Sequence, residues 1–246
     1  MVCWQGMGKK RGMALNSQGF DFDKATAELV PLRDFIDFVN AQVGVYMDCL
    51  SSFRGNTVRI ERQVARVNRP RPGMKDGHPV MIMESFEDPS QPDAIHHRII
   101  AASDFLKANR DGGFSHRQIC WSIIVFMFAY WDEEIRPQIA KIREIEPNDL
   151  KVDTLGDLRI LRKSIVHNKG ILTQADHAKL KELGDLVQPE KRIALSHDDM
   201  QKLFARIKKA IAVLLLEKTK GFPGAPDLSE IASVAIQNAG PPYGDD

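Results

Sequence analysis

Residues 115–142 read SHRQICWSIIVFMFAYWDEEIRPQIAKI. From Ile119 to Trp131 the run is apolar on nearly every side of a helix, the pattern of a helix enclosed by others rather than of one lying on a surface. It falls well short of the ~20 residues a membrane span requires. It is also followed at once by Asp132, Glu133 and Glu134. The stretch is therefore expected to be the central helix of a bundle, capped by Ser115, bent at Pro137 and ended by the EPND sequence at 146–149.

The flanking segments are consistent with such a bundle. Between Asp23 and Val67 apolar residues, among them Phe35, Val39, Tyr46, Phe53, Ile60 and Val64, recur at threes and fours. That spacing predicts an amphipathic helix, with a break into two near Gly55-Asn56 and a stop at NRPRPG, residues 68–73. HPVMIMESF at 78–86 reads as a short strand or extended connector, EDPSQP as a loop, and residues 93–109 as a helix before RDGGFS resets the chain. Beyond the central helix, Asp153 is the expected cap of a helix running to Asn168 and stopping at Gly170. Thr173 opens a short helix to Leu183, RIAL at 192–195 reads as a brief strand, and Ser196 caps a long last helix. GFPGAP then leads into a weakly amphipathic tail helix.

With no repeat and no alternating strand series, the expected fold is all-α: a bundle of four to five core helices with short extended connectors. The division of the chain follows. Residues 1–22 form a flexible arm, 23–220 the helical domain with an insertion at about 70–112, and 221–246 a linker and tail.

Composition narrows the class of protein. The 246 residues are 43% hydrophobic and 27% charged with a net charge of +1, as in a soluble globular domain without a strongly cationic coat. Cys3, Cys49 and Cys120 have neither CxxC spacing nor the number of a disulfide framework, which suits a reducing cytoplasm. The first residues contain Lys9, Lys10 and Arg11 but no continuous apolar run, so they do not read as a secretory signal. P-loop, GxGxxG, HExxH and GxSxG patterns are missing. His96-His97 has no ligand partner one helical turn away, and His78, His116, His177 and His197 read as loop or first-turn residues, so no metal and no cofactor is expected.

Two sets of residues remain as candidates for function. Arg59, Arg62, Arg66 and Arg69 recur at three, four and three, a stripe able to follow RNA phosphates, although a solvated helix face has the same appearance and no aromatic residue interleaves it.

The second set lies in LRKSIVHNKG at 161–170, where Leu155, Leu158, Leu161, Ile165 and Val166 share one arc and Arg162 falls inside it. An arginine aimed at an interface must snorkel, pair with a carboxylate such as Asp132, Glu133 or Glu134, or meet a phosphate. His167 follows five residues later, ~140° around and ~7.5 Å along a straight helix. The two side chains meet at one site only if the helix end unwinds or if a two-fold dimer brings Arg162 of one chain to His167 of the other.

Written DLRILRKSIVHNKGI, the segment resembles the RxxxxH signature of the HEPN superfamily of small all-α domains, and AYWDEEIRPQIA resembles the tryptophan-plus-acid segment of several HEPN-like families. The resemblance covers about residues 115–217 and, loosely, the first long helix. It implies a metal-independent endoribonuclease acting as a homodimer, in a toxin or phage-defence role with an antitoxin protein as partner. His167 would be the general base or acid and Arg162 would stabilise the phosphoryl oxygens. Asp132 or Glu133 would orient Arg162, with Lys163 and Asn168 assisting at the phosphate. Lys163 departs from the Asn, Asp or His frequent after the family's arginine and adds positive charge there. A catalytically inactive HEPN-like bundle binding a nucleotide, RNA or protein is the alternative implied.

Overall fold

A computed structural model describes residues 22–69, 80–88 and 91–216, with side chains over 27–69, 80–83 and 98–216. The arm, the tail helix, His78 and residues 70–73 of the expected stop lie outside the described residues, as do the side chains of His96 and His97.

The described residues form an all-α helical bundle carrying one two-stranded ribbon. Helix α1, Phe22–Val67, is a single 46-residue helix. The break expected at Gly55-Asn56 does not occur. A glycine inside a helix costs about 1 kcal/mol, and here apolar packing on both sides outweighs it. Tyr46 and Leu50 belong to the main core before Gly55, while Ile60 joins Ala102 and Phe105 in a second, smaller cluster after it.

Strands β1, Met81–Asp88, and β2, Gln91–Ala101, pair antiparallel from Met81↔Ala101 onward, with an irregularity between Glu87 and Asp88. Helix α2 is confined to Ala102–Asn109, so the helix expected over 93–109 is strand in its first half. Short apolar runs such as Ile99-Ile100 fit either period. The hydrogen-bonding edge of β1 decides for strand, and the pairing sets Ile82 opposite Ile100 against the smaller cluster.

Helix α3, Phe114–Tyr130, occupies the centre, burying Cys120, Ile123, Ile124, Met127 and Phe128. Its cap is Gly113 rather than Ser115. A Cβ at Gly113 would stand 2.4 Å from the Ala108 carbonyl oxygen, so only glycine permits this close return of the chain. After Tyr130 the helix widens into a π turn, Trp131–Ile135, before α4, Arg136–Arg143. The Arg136 N–H donates to the Trp131 carbonyl, five residues back. The extra residue in the turn falls immediately before Pro137, whose ring cannot follow an ordinary α turn without loss of a hydrogen bond.

Helix α5, Asp153–His167, packs on α3, and its cap is Val152, with Asp153 already helical. Helix α6 is short, Gln174–His177, with the Thr173 hydroxyl accepting from the Asp176 N–H as expected. It does not reach Leu183, because the buried Asp157 carboxylate accepts the N–H groups of Lys181, Glu182 and Leu183, which a continuing helix would turn inward. The expected RIAL strand reduces to one bridge, Ile171↔Arg192. Helix α7, His197–Leu216, starts at Ser196, whose hydroxyl accepts the Asp199 N–H while the Asp199 carboxylate accepts the Ser196 N–H. No helix among the described residues is long and apolar enough to cross a membrane.

Candidate functional site

Arg162 lies in the seam between α3 and α5, half-buried, with its guanidinium carbon 5.7 Å from the centroid of the Phe128 ring. The aromatic face supports the cation, since a ring quadrupole attracts positive charge. Among the described residues no carboxylate lies within ion-pair distance of Arg162, and its buried Nε has no hydrogen-bond partner.

The expected orientation of Arg162 by Asp132 or Glu133 is not formed. Asp132 is held instead by Arg136, 2.5 Å away and one turn along, and Glu133 and Glu134 are exposed. A pair four residues apart on one helix forms without tertiary constraint, so Arg136 captures the carboxylate that Arg162 would need.

His167 is the last residue of α5 and is exposed. The helix remains intact through it. Departure from helical geometry begins at Asn168, and positive φ values follow at Lys169 (52°) and Gly170 (76°). The Gly170 N–H closes the end by donating to the Ser164 carbonyl at 2.9 Å. Because unwinding starts only after the histidine, one chain leaves Arg162 and His167 ~140° apart around α5.

The turn after His167 is fixed from α3. A Cβ on Gly170 would fall 2.2 Å from the Trp121 ring, and the Trp121 indole N–H donates to the Ile193 carbonyl at 2.9 Å. The Asn168 side-chain amide is turned back to the Ile171 carbonyl at 2.6 Å, so Asn168 holds the turn in this arrangement. Lys163 is exposed, 3.5 Å from Asp176, a carboxylate held below its usual range mainly by its hydrogen bond to Lys179.

The arginine stripe is placed elsewhere. Arg59, Arg62, Arg66 and Arg69 are all exposed, and the helix segment that carries the first three packs through Ile60 and Val64 on the smaller cluster. Phe38, which meets Tyr130 at a centroid distance of 4.4 Å, marks the level of the Arg162 seam on α1. Arg59 is 21 residues further on, ~30 Å along the helix axis at 1.5 Å per residue. The stripe and the seam are thus separate surfaces.

One polar cluster was not anticipated from sequence. His116 is buried, not a simple first-turn residue. Its Nδ1 accepts the Gly112 N–H at 3.0 Å, so its Nε2 carries the proton and donates to the Tyr46 hydroxyl oxygen at 3.1 Å. That hydroxyl also lies 3.3 Å from His197 Nδ1, joining α1, α3 and α7 at one point. Burial lowers the His116 pKa and raises those of Tyr46 and, to about 12, the Cys120 thiol one turn along α3. These groups are arranged as a neutral structural network. Among the described residues no group of three or more His, Cys, Asp or Glu side chains is placed to hold a metal ion.

Compared with protein-family models, with curated proteins and with solved structures, the chain has no match.

Proposed function

We propose that the chain is a metal-independent endoribonuclease of HEPN type that works as a homodimer. The observation that carries the reading is Arg162 itself, a half-buried cation with no carboxylate partner among the described residues, on a helix that stays intact up to an exposed His167. The Arg162 Nε is buried without a partner, so an anion reaching the seam gains a hydrogen bond there, and the planar fork of arginine matches a phosphoryl group.

In this reading the RNA 2′-hydroxyl loses its proton to His167 and attacks the adjacent phosphorus. The bond from phosphorus to the 5′-oxygen breaks, that oxygen takes its proton from solvent water, and a 2′,3′-cyclic phosphate remains. Arg162 stabilises the charge that develops on the non-bridging oxygens. Because α5 does not unwind before His167, the Arg and the His of one site come from two chains. A toxin or phage-defence role with an antitoxin partner belongs to the same reading and rests on the resemblance of the RxxxxH segment.

The test is incubation of the purified protein with mixed RNA in EDTA, comparing wild type with Arg162→Ala and His167→Ala. Cleavage that both substitutions abolish is the expected result. No cleavage of any RNA, or equal cleavage by the variants, would overturn it. In that case a catalytically inactive bundle binding a nucleotide, RNA or protein is the reading left.

A further inference from the structure

We infer that the pocket that shares Phe128 with the Arg162 seam is a phosphate-binding subsite for a flanking stretch of the RNA strand, an inference that rests on the ribonuclease reading. The pocket, about 470 Å³, is an open cleft lined by the end of α3, the π turn, the connector at 148–152, the first turns of α5 and the segment of Lys179 and Lys181. Phe128 lines it and also carries the Arg162 guanidinium, so the pocket and the seam share a wall.

Charge in the pocket is unbalanced in a specific way. Arg136, Lys151, Arg159, Lys179 and Lys181 face two carboxylates, Asp153 and Asp157. Neither carboxylate is available to a cationic ligand. Asp157 is committed to the backbone N–H groups of Lys181, Glu182 and Leu183, and Asp153 takes the Lys181 ammonium at 2.7 Å. Arg136 is held by Asp132 and Lys179 by Asp176.

Lys151 and Arg159 remain, both exposed and without a carboxylate within ion-pair distance among the described residues. Arg159 is three residues before Arg162, so the two side chains leave α5 from adjacent positions. Gly156, one turn earlier, leaves the approach open, since a Cβ there would meet nothing within 4 Å.

The ligand chemistry follows from what the pocket lacks. Its aromatic residues are spent in the core, with Phe128 4% and Trp131 2% exposed, so no ring face is open for a base to stack on. Phosphate, and not the base, is therefore the group recognised, and binding at this subsite is independent of sequence. The arginine stripe of α1 is too distant to serve the same short stretch of strand.

The test measures binding of fluorescently labelled single-stranded oligoribonucleotides to the full chain by anisotropy over a series of salt concentrations. It compares a Lys151→Ala/Arg159→Ala double variant with Lys107→Ala/Arg110→Ala, which removes the same charge from the end of α2. All four side chains are exposed, so both variants should fold. The pocket variant should bind about tenfold or more weakly, alike for different sequences, with the salt slope reduced by about 1.4, from ~0.7 for each lost single-strand phosphate contact. The α2 variant should change affinity by less than about twofold.

Equal losses in the two variants, unchanged affinity in the pocket variant, or no binding by wild type would overturn the inference. Its fate is separable from that of the ribonuclease reading. Binding lost in the pocket variant while no RNA is ever cleaved retains the subsite and removes the nuclease. Cleavage abolished by Arg162→Ala while the pocket variant binds normally does the reverse.

Discussion

The Arg162 guanidinium is seated on the Phe128 ring at 5.7 Å, while the nearest turn's acid, Asp132, is engaged by Arg136 at 2.5 Å. Arg162 therefore contributes little to folding. Arg162→Met should change the free energy of unfolding in urea by less than about 1 kcal/mol, the scale of an exposed cation–π contact. Removing one partner of a buried ion pair typically costs about 3–5 kcal/mol. A loss of that size, or coupling between Arg162→Met and Asp132→Asn in a double-mutant cycle, would show that the arginine is structural. Coupling is expected between Asp132 and Arg136 instead.

The intact end of α5 makes a prediction about assembly. Arg162→Ala and His167→Ala proteins, each inactive alone, should recover EDTA-resistant cleavage when unfolded together and refolded as a mixture. About half of randomly paired dimers then carry one chain of each kind, with an Arg and a His offered from opposite chains. Mixtures that stay as inactive as the separate variants, although size-exclusion chromatography shows dimers, would place both groups of a site on one chain.

What was legible in the sequence was mostly local. The all-α bundle followed from the apolar run at 119–131, which no strand or surface helix explains, and the Ser196 cap from its own three-residue neighbourhood. The cap at Ser115 is displaced to Gly113 because the close return of the chain there depends on Ala108 and cannot be seen in the helix's own residues, and the cap at Asp153 shifts by one residue to Val152. The strand at 91–101 depended on a partner, as did the early end of α6, which a carboxylate 24 to 26 residues away imposes. Within the candidate site, the position of Arg162 on an apolar face was legible. Which acid it would meet was not, since Asp132 had a nearer competitor in Arg136. The link from Tyr46 to His116 spans 70 residues and leaves no periodic trace.

Gly170 holds the turn that fixes the end of α5 against α3. Gly170→Ala combines a φ of 76° with a Cβ 2.2 Å from the Trp121 ring. The indole can yield only by giving up its hydrogen bond to the Ile193 carbonyl. A loss of about 2–4 kcal/mol is expected by urea denaturation, from left-handed strain and core overpacking together, with a change in tryptophan emission. Alanine at 170 with unchanged stability would mean that the turn moves freely, and His167 with it.

The Tyr46–His116–His197 network should make stability fall in mild acid. Burial depresses the His116 pKa below the usual 6.5, partly opposed by Asp111 and reinforced by the neighbouring His197 and Arg54. Below about pH 6.5 the unfolded chain therefore binds a proton that the folded chain refuses. The stability that neutral His116 contributes is fully present above that pH and declines as pH falls towards the depressed value. The slope is at most about 1.4 kcal/mol per pH unit for one proton. Protonation at Nδ1 would also set an N–H against the Gly112 N–H that now donates there, which ties the titration to the loop ahead of α3. Unfolding in urea between pH 5 and 8 should show this decline for wild type and a shallower one for His116→Gln, whose amide retains one donor and one acceptor without titrating. Equal slopes for the two proteins would sink the assignment and shift the acid sensitivity to other groups.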